Sequence, residues 1–328
     1  MHTYEYDLMV IGNTPEARYA ALLAAQQSAA SPAARVALIT QAQPRQDLLL
    51  QGQSAQHQTQ TTGSYDPAHP SLIAAQDLLS PYTLAVAGVD EVTDAGTWAF
   101  SSPQSSATSP GWVWQTQRAS HQAERYLLAT GQAIDAPAIA QALDPIVTLP
   151  QVLTQPWQTL PQRWVIVGAT PMALVVAQSL RRTGRDVTMV LRDRLLPQED
   201  QVIVHYLQAI LEAAGIRLYT HTEIQHVQQL ENQQWLQVGN RAIESDRILW
   251  AEPAPRIWAG LTIAPGSPQV RANRQLRVEP FRNLYVCGGW LGGYDALELG
   301  QYEAAIAVHN CLHRRQRSVD YRAVAWVL

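Results

Sequence analysis

Tyr6 to Ala17 reads Y-D-L-M-V-I-G-N-T-P-E-A, and Arg163 to Ala173 reads R-W-V-I-V-G-A-T-P-M-A. Each stretch is an apolar strand, a Gly and then an Ala-rich helix, the unit that opens a dinucleotide-binding fold. Two such units roughly 155 residues apart imply an α/β chain with two Rossmann-like domains. In the fingerprint G-x-G-x-x-G the first Gly makes the turn, the second admits a pyrophosphate, and the third lets helix pack on strand. Gly12 and Gly168 keep the first position, and Ala17 and Ala173 are tolerable at the third. The second, nearest the phosphate, is Thr14 in one unit and Thr170 in the other.

Thr followed by Pro15 or Pro171 is a helix-start signal, because the hydroxyl accepts from first-turn N–H groups and Pro suits the first helical position. Those N–H groups are the ones a phosphate uses. Two outcomes stand: a self-capped helix without ligand, or a dinucleotide held in a shifted position with the Thr hydroxyls as donors. Glu16 adds a first-turn carboxylate, which favours the helix dipole by about 0.3 to 1 kcal/mol and repels a pyrophosphate. Met172 occupies the matching place in the second unit and carries no such penalty.

The chain of 328 residues has room for two domains of ordinary size. At 47% hydrophobic residues and a net charge of −4 it offers no electrostatic case for nucleic acid or an anionic membrane. No apolar run approaches the roughly 20 residues of a transmembrane segment. The first strand starts at Tyr6 and leaves no space for a signal peptide, so a cytoplasmic location is expected. No Lys occurs, which excludes a Schiff-base enzyme, a Walker-type loop and a lysine base. Cys287 and Cys311 are the only thiols, too few for a four-cysteine metal centre and too far apart for a Cys-x-x-Cys pair. The nine His show no metal-ligand spacing, and His57 and His69 lie in Gln/Thr/Ser/Pro-rich sequence, so no metal site is expected.

Along the chain, residues 1–150 read as the first part of one domain, 151–262 as a second, and 263–328 as a return to the first followed by a tail. A helix over Pro15 to Ser28 leads to a strand Arg35 to Thr40, then to low-complexity sequence from Gln41 to His69. Tyr82 to Val86, Thr97 to Phe100 and Trp112 to Gln117 are expected to form an antiparallel meander, and Arg125 to Gly131 a buried strand. In the second domain strands are expected at Trp164 to Val167, Asp186 to Leu191, Ile216 to Tyr219, Trp235 to Val238 and Arg247 to Trp250. Helices run to about Arg182 and from Asp200 to Ala214. A strand Leu284 to Val286, Cys287-Gly288-Gly289, and a helix from about Ala296 to Leu312 close the order.

This order of motifs resembles the flavoprotein pyridine nucleotide-disulfide oxidoreductases, the family of mercuric reductase, dihydrolipoamide dehydrogenase and glutathione reductase. The residues that carry the resemblance are the two Gly turns, Ala129-Thr130-Gly131, Leu195-Leu196-Pro197-Gln198-Glu199-Asp200, and Asn283 to Gly293 (N-L-Y-V-C-G-G-W-L-G-G). Val319 to Val324 also looks like the segment before that family's dimerisation domain. The resemblance implies FAD at Gly12, Thr14, Pro15, Ala17, Thr130, Gly131, Gly288 and Gly289. It implies NAD(P) at Gly168, Thr170, Ala173, Arg192 and Arg194.

The departures are equally specific. No Cys lies between Gln41 and Gly63, where the family carries its redox disulfide. Thr40 stands for the adenosine-ribose carboxylate, and Gly289, before Trp290, for the Asp that holds the flavin ribityl chain. Two lost polar anchors at about 1 to 3 kcal/mol each weaken FAD by about 10²- to 10⁴-fold. Leu191 replaces the usual ribose acid and disfavours NAD, while Arg192 and Arg194 follow where a basic residue could meet the 2′-phosphate of NADP; the alternative is that both are solvated surface charge. The chain stops before the segment that brings the family's dimer contact and catalytic His-Glu pair, so the family dimer is not expected. The expectation is a degenerate relative, a non-catalytic binding or assembly protein. The alternative is a flavin-dependent NAD(P)H oxidoreductase that acts on a small acceptor without thiol chemistry. The basic run His309, His313, Arg314, Arg315 and Arg317 ordinarily just matches the helix dipole; followed by the apolar Ala323 to Leu328, it offers the alternative of a tail that docks a protein partner.

Overall fold

The computed structural model describes residues 2–27, 34–40, 80–101, 111–131, 146–149, 152, 155, 159–197, 199–230, 233–252, 272–291 and 297–323. All of Gln41 to His69, with the His57 and His69 pair, and residues 324–328 of the tail lie outside these. In chain order the first elements are β1 (His2–Ile11), α1 (Pro15–Gln27), β2 (Val36–Ile39), α2 (Pro81–Val86), β3 (Val89–Val92), β4 (Gly96–Ser101), β5 (Gly111–Thr116) and β6 (Ala119–Leu128). Then come β7 (Ile146–Thr148), β8 (Arg163–Val167), α3 (Pro171–Arg182), β9 (Asp186–Val190), α4 (Gln201–Ala213) and β10 (Arg217–Tyr219). The last are β11 (Ile224–Leu230), β12 (Gln233–Val238), β13 (Arg241–Ser245), β14 (Arg247–Trp250), β15 (Leu284–Val286) and α5 (Leu297–Leu312). The chain divides into two compact units, one from the described residues up to 40, 80–131 and 272–323, the other from those between 146 and 252.

The first unit is built on a sheet of order β3-β2-β1-β6-β5-β4, with β15 also paired to β6. β1 runs parallel to β2, Leu8 opposite Val36, and parallel to β6 from His2 opposite Ala119 to Ile11 opposite Leu128. β6 has two neighbours on its far side: β5, antiparallel at Val113 and Gln122, and β15, parallel at Leu284 and Tyr126. Leu8 to Ile11 are all buried, as expected of an interior parallel strand covered on both faces. Leu8 and Val10 pack with Ala17, Ala20, Ala21 and Ala24 of α1 and with Ala304, Ala307 and Val308 of α5. The small side chains let two helices lie close on one face of the sheet. Met9 and Ile11 face the other way, into Trp112, Trp114, Tyr126 and Trp290.

Tyr82 to Val86 is a helix, not the first strand of a meander. Ser80 accepts the Thr83 N–H at 3.3 Å and Pro81 occupies the first turn, so a capped start overrides the β-prone Tyr-Thr-Leu-Ala-Val. The meander is β4-β5-β6, and Val89–Val92 supplies the outer parallel strand.

The second unit carries a parallel sheet of order β10-β9-β8-β14-β7 and a three-stranded antiparallel sheet β11-β12-β13. β7 pairs β14, so Ile146–Thr148 lies in this unit although the sequence reading starts the domain at residue 151. Arg163 opens β8 by pairing with Glu244 of β13 and with Asp246 between β13 and β14, each at 2.6 Å. Val165, Val167, Ile248 and Trp250 of the parallel sheet pack against Val227, Leu236 and Val238 of the antiparallel one.

Candidate functional site

Each dinucleotide turn begins on a glycine whose backbone no other residue adopts easily. Gly12 has φ +144° and a Cβ there would fall on the Ala129 carbonyl; Gly168 has φ +106° and a Cβ would stand 2.9 Å from Ala251 C and Glu252 N. In both turns the Thr hydroxyl caps the helix, as the residues imply. Thr14 Oγ1 accepts the Ala17 N–H at 3.2 Å, and Thr170 Oγ1 accepts the Ala173 N–H at 3.2 Å. Pro15 and Pro171 bring no N–H to the first turn. Thr14 does more, because its hydroxyl also donates to the Ala129 carbonyl at 2.8 Å and so ties the turn to the end of β6.

The first turn holds charged side chains whose burial the sequence does not announce. Glu16 and Arg18 are 5% and 4% exposed. Arg18 donates to Asn13 Oδ1 at 2.9 and 3.2 Å and pairs with Glu91 of β3 at 2.7 Å. Glu16 reaches across to the start of α5. A Cβ on Gly300 would overlap the Glu16 side chain, with Cδ 3.0 Å and Oε1 2.8 Å away, and a Cβ on Gly288 would sit 3.6 Å from Oε1. Glu303, one turn along α5, accepts the Gly288 N–H at 2.8 Å and the Tyr321 hydroxyl at 3.0 Å. Burial, with Glu303 beside it, holds the Tyr321 phenol above its usual range.

Gly288 has φ +68° and turns the chain out of β15. Gly289 and Trp290 follow as buried residues of a short 3-10 turn. The Trp290 indole N–H donates to Thr130 Oγ1, joining the Ala-Thr-Gly stretch to the Gly-Gly-Trp stretch. Gly131, φ +72°, comes directly after this contact. Thus Gly12, Thr14, Pro15, Ala17, Thr130, Gly288 and Gly289 converge on one end of the first sheet. Glu303, Asn13 and Arg18 belong to no motif of their own, and nothing local in the sequence marks them.

In the second unit the two arginines part company. Arg194 donates to the Pro197 carbonyl at 2.7 Å and the Glu199 carbonyl at 3.0 Å, so it braces its own loop rather than facing outward as a phosphate ligand. Arg192 stays 69% exposed but lies 3.7 Å from Glu223 and 3.6 Å from Glu252. Leu191 is buried at the end of β9.

Both thiols are in the core. Cys287 and Cys311 have no exposed surface, and burial pushes both thiols up; Glu16, Glu303 and Cys311 add to the effect at Cys287. Among the described residues no cluster of three or more His, Cys, Asp or Glu could hold a metal ion. No described helix is long and apolar enough to cross a membrane.

The family model for pyridine nucleotide-disulphide oxidoreductases matches residues 6–310. The chain belongs to that family. The family is FAD-dependent and works with NAD(P)H. Mercuric reductase of Shewanella putrefaciens is 33% identical over 135 residues, 41% of this chain and 24% of that protein. Dihydrolipoyl dehydrogenase of Bacillus subtilis (strain 168) is 28% identical over 165 residues, 47% of this chain and 35% of that protein. The chain thus spans less than half the length of the curated relatives it matches, with 44% covered in mercuric reductase of Streptomyces lividans. Among solved structures, LpdA of Mycobacterium tuberculosis has a TM-score of 0.78 at 18% identity, covering 99% of this chain and 76% of that one. The Cu(II) complex of the HOCl-induced flavoprotein disulfide reductase RclA from Escherichia coli has a TM-score of 0.72 at 16% identity, with 97% and 74% covered. At such identities the likeness establishes the fold, the Rossmann-like α/β architecture of the oxidoreductase family.

Proposed function

We propose that this member of the oxidoreductase family is a non-catalytic binding or assembly protein that performs no thiol–disulfide exchange. One observation supports the absence of thiol chemistry in this reading: the only two thiols of the sequence are fully buried, and burial raises both. Exchange needs an accessible thiolate. Neither Cys287, at the end of β15, nor Cys311, in the last turn of α5, offers one. The C-terminal tail, basic and then apolar, is the segment proposed to meet a protein partner; the apolar residues 324–328 lie outside the described ones.

The test is NADPH oxidation by the purified protein with added FAD, offered a small disulfide, Hg(II) or a quinone. The expected outcome is no acceptor-dependent turnover, and none gained or lost in Cys287→Ser or Cys311→Ser. Turnover on the disulfide or Hg(II) that disappears in either Ser variant removes the reading. Turnover on the quinone alone replaces it with a flavin-dependent NAD(P)H oxidoreductase.

A further inference from the structure

We infer that the first unit has closed its own dinucleotide site with side chains from α1 and α5, so that it does not take up FAD in the family's manner. The inference deepens the proposed function and rests on it in taking the family's flavin mode as the point of departure.

A flavin dinucleotide seats its pyrophosphate on the N-terminus of the helix after the first strand, where main-chain N–H groups and the helix dipole meet it. At that N-terminus here, Pro15 has no N–H and the Ala17 N–H is taken by the Thr14 hydroxyl. The remaining ground is held by carboxyl groups. Glu16 is buried in the first turn and lies over Gly288, and Glu303 accepts the Gly288 N–H, an amide at the end of β15 that faces the same space. The cation of this turn, Arg18, is engaged by Asn13 and Glu91. A pyrophosphate therefore meets two carboxyls beside a helix start whose Ala17 N–H is already taken by the Thr14 hydroxyl. Farther along, Trp290 occupies the space after Gly289 and is tied to Thr130 by its indole N–H.

The closure has a built counterpart on α5. Gly300 lies within the helix with nothing in its backbone that demands glycine, and the residue that needs its missing side chain is Glu16. A glycine inside a helix is otherwise unfavourable relative to alanine. Glu16 and Gly300 are read as a complementary pair that seats α1 on α5.

Two measurements test this on the full chain. The first is titration with FAD, followed by flavin fluorescence. The wild type is expected to show no saturation up to about 100 µM, whereas Thr14→Gly/Glu16→Ala/Gly289→Asp/Trp290→Ala binds at least about 10-fold tighter. Saturation of the wild type below that limit, or flavin that copurifies with it, overturns the inference. The second reads the pair by thermal midpoint. Gly300→Ala should lower the midpoint in the wild type and raise it in the Glu16→Ala background, a reversal of sign. A rise in both backgrounds also overturns it. FAD uptake without turnover would end this inference and leave the proposed function standing. NADPH-driven turnover without flavin uptake would do the opposite.

Discussion

Thr14 and Thr170 bring the same hydroxyl to the same helix position, yet they sit in different company. Thr170 caps one amide, whereas Thr14 caps one amide and also satisfies the buried end of β6 at Ala129. Thr170→Ala should cost about 1 kcal/mol, the usual worth of a cap. Thr14→Ala should cost about 1 to 3 kcal/mol more, because a buried carbonyl loses its donor. Urea unfolding of the two variants checks this, and equal losses would show that the Ala129 bond contributes nothing. Both caps are legible in Thr-Pro, since capping is a local matter. The burial of Glu16 is not, because it depends on Gly300, which lies in another element of the chain. Arg194 shows the same limit: its charge is visible in sequence, but only the fold of its loop turns it toward the Pro197 and Glu199 carbonyls.

At the scale of elements, α4 shows how a helix can be placed correctly while its faces are read only in part. Asp200 caps it by accepting the Val202 N–H at 2.8 Å, and Ala214 closes it, as the amphipathic pattern implies. Only Val204 and Leu211 are buried, however, and Val202, Ile203, Tyr206 and Ile210 are 76%, 58%, 72% and 43% exposed. Leu211→Ala should cost about 2 to 5 kcal/mol, as for a filled core position. Tyr206→Ser should stay within about 0.5 kcal/mol of wild type. Denaturant midpoints decide the point; comparable losses would mean that the outward row is covered in solution. β14 runs over the residues its apolar run marks, and β9 ends one residue early. The Gln-rich β11 and the short, charged Arg-Ala-Ile-Glu-Ser of β13 give too little alternation to mark a strand, and α2 hides its Ser80 cap beside β-branched residues.

For the molecule as a whole, acid should be destabilising well before the carboxylates titrate. His121 on β6 stacks at 5.2 Å on Tyr4 and at 6.1 Å on Tyr6. Burial pushes its pKa down, against the opposing pull of Asp90 and Asp94. Burial likewise lowers His309, which the Arg315 carbonyl opposes and Arg317 and His313 reinforce. The unfolded chain, with His near its usual value of about 6.5, takes up protons first as pH falls. Stability is therefore full above about pH 6.5 and declines as pH drops toward the folded-state values. Asp246 continues the loss in stronger acid: burial raises it, but the Arg163 hydrogen bonds prevail and hold it below its usual value. Urea midpoints from pH 7.5 to 5.5 should slope downward in the wild type and flatten in His121→Gln/His309→Gln. A flat wild-type profile would remove the histidines from the account. The path of the chain has a further consequence for biosynthesis. β6 is made early, but β15 and α5, which complete its sheet and cover α1, come only after the whole second unit. On the ribosome the inserted unit can finish first while the host waits with one strand edge open, an interval in which a nascent chain is exposed to mispairing.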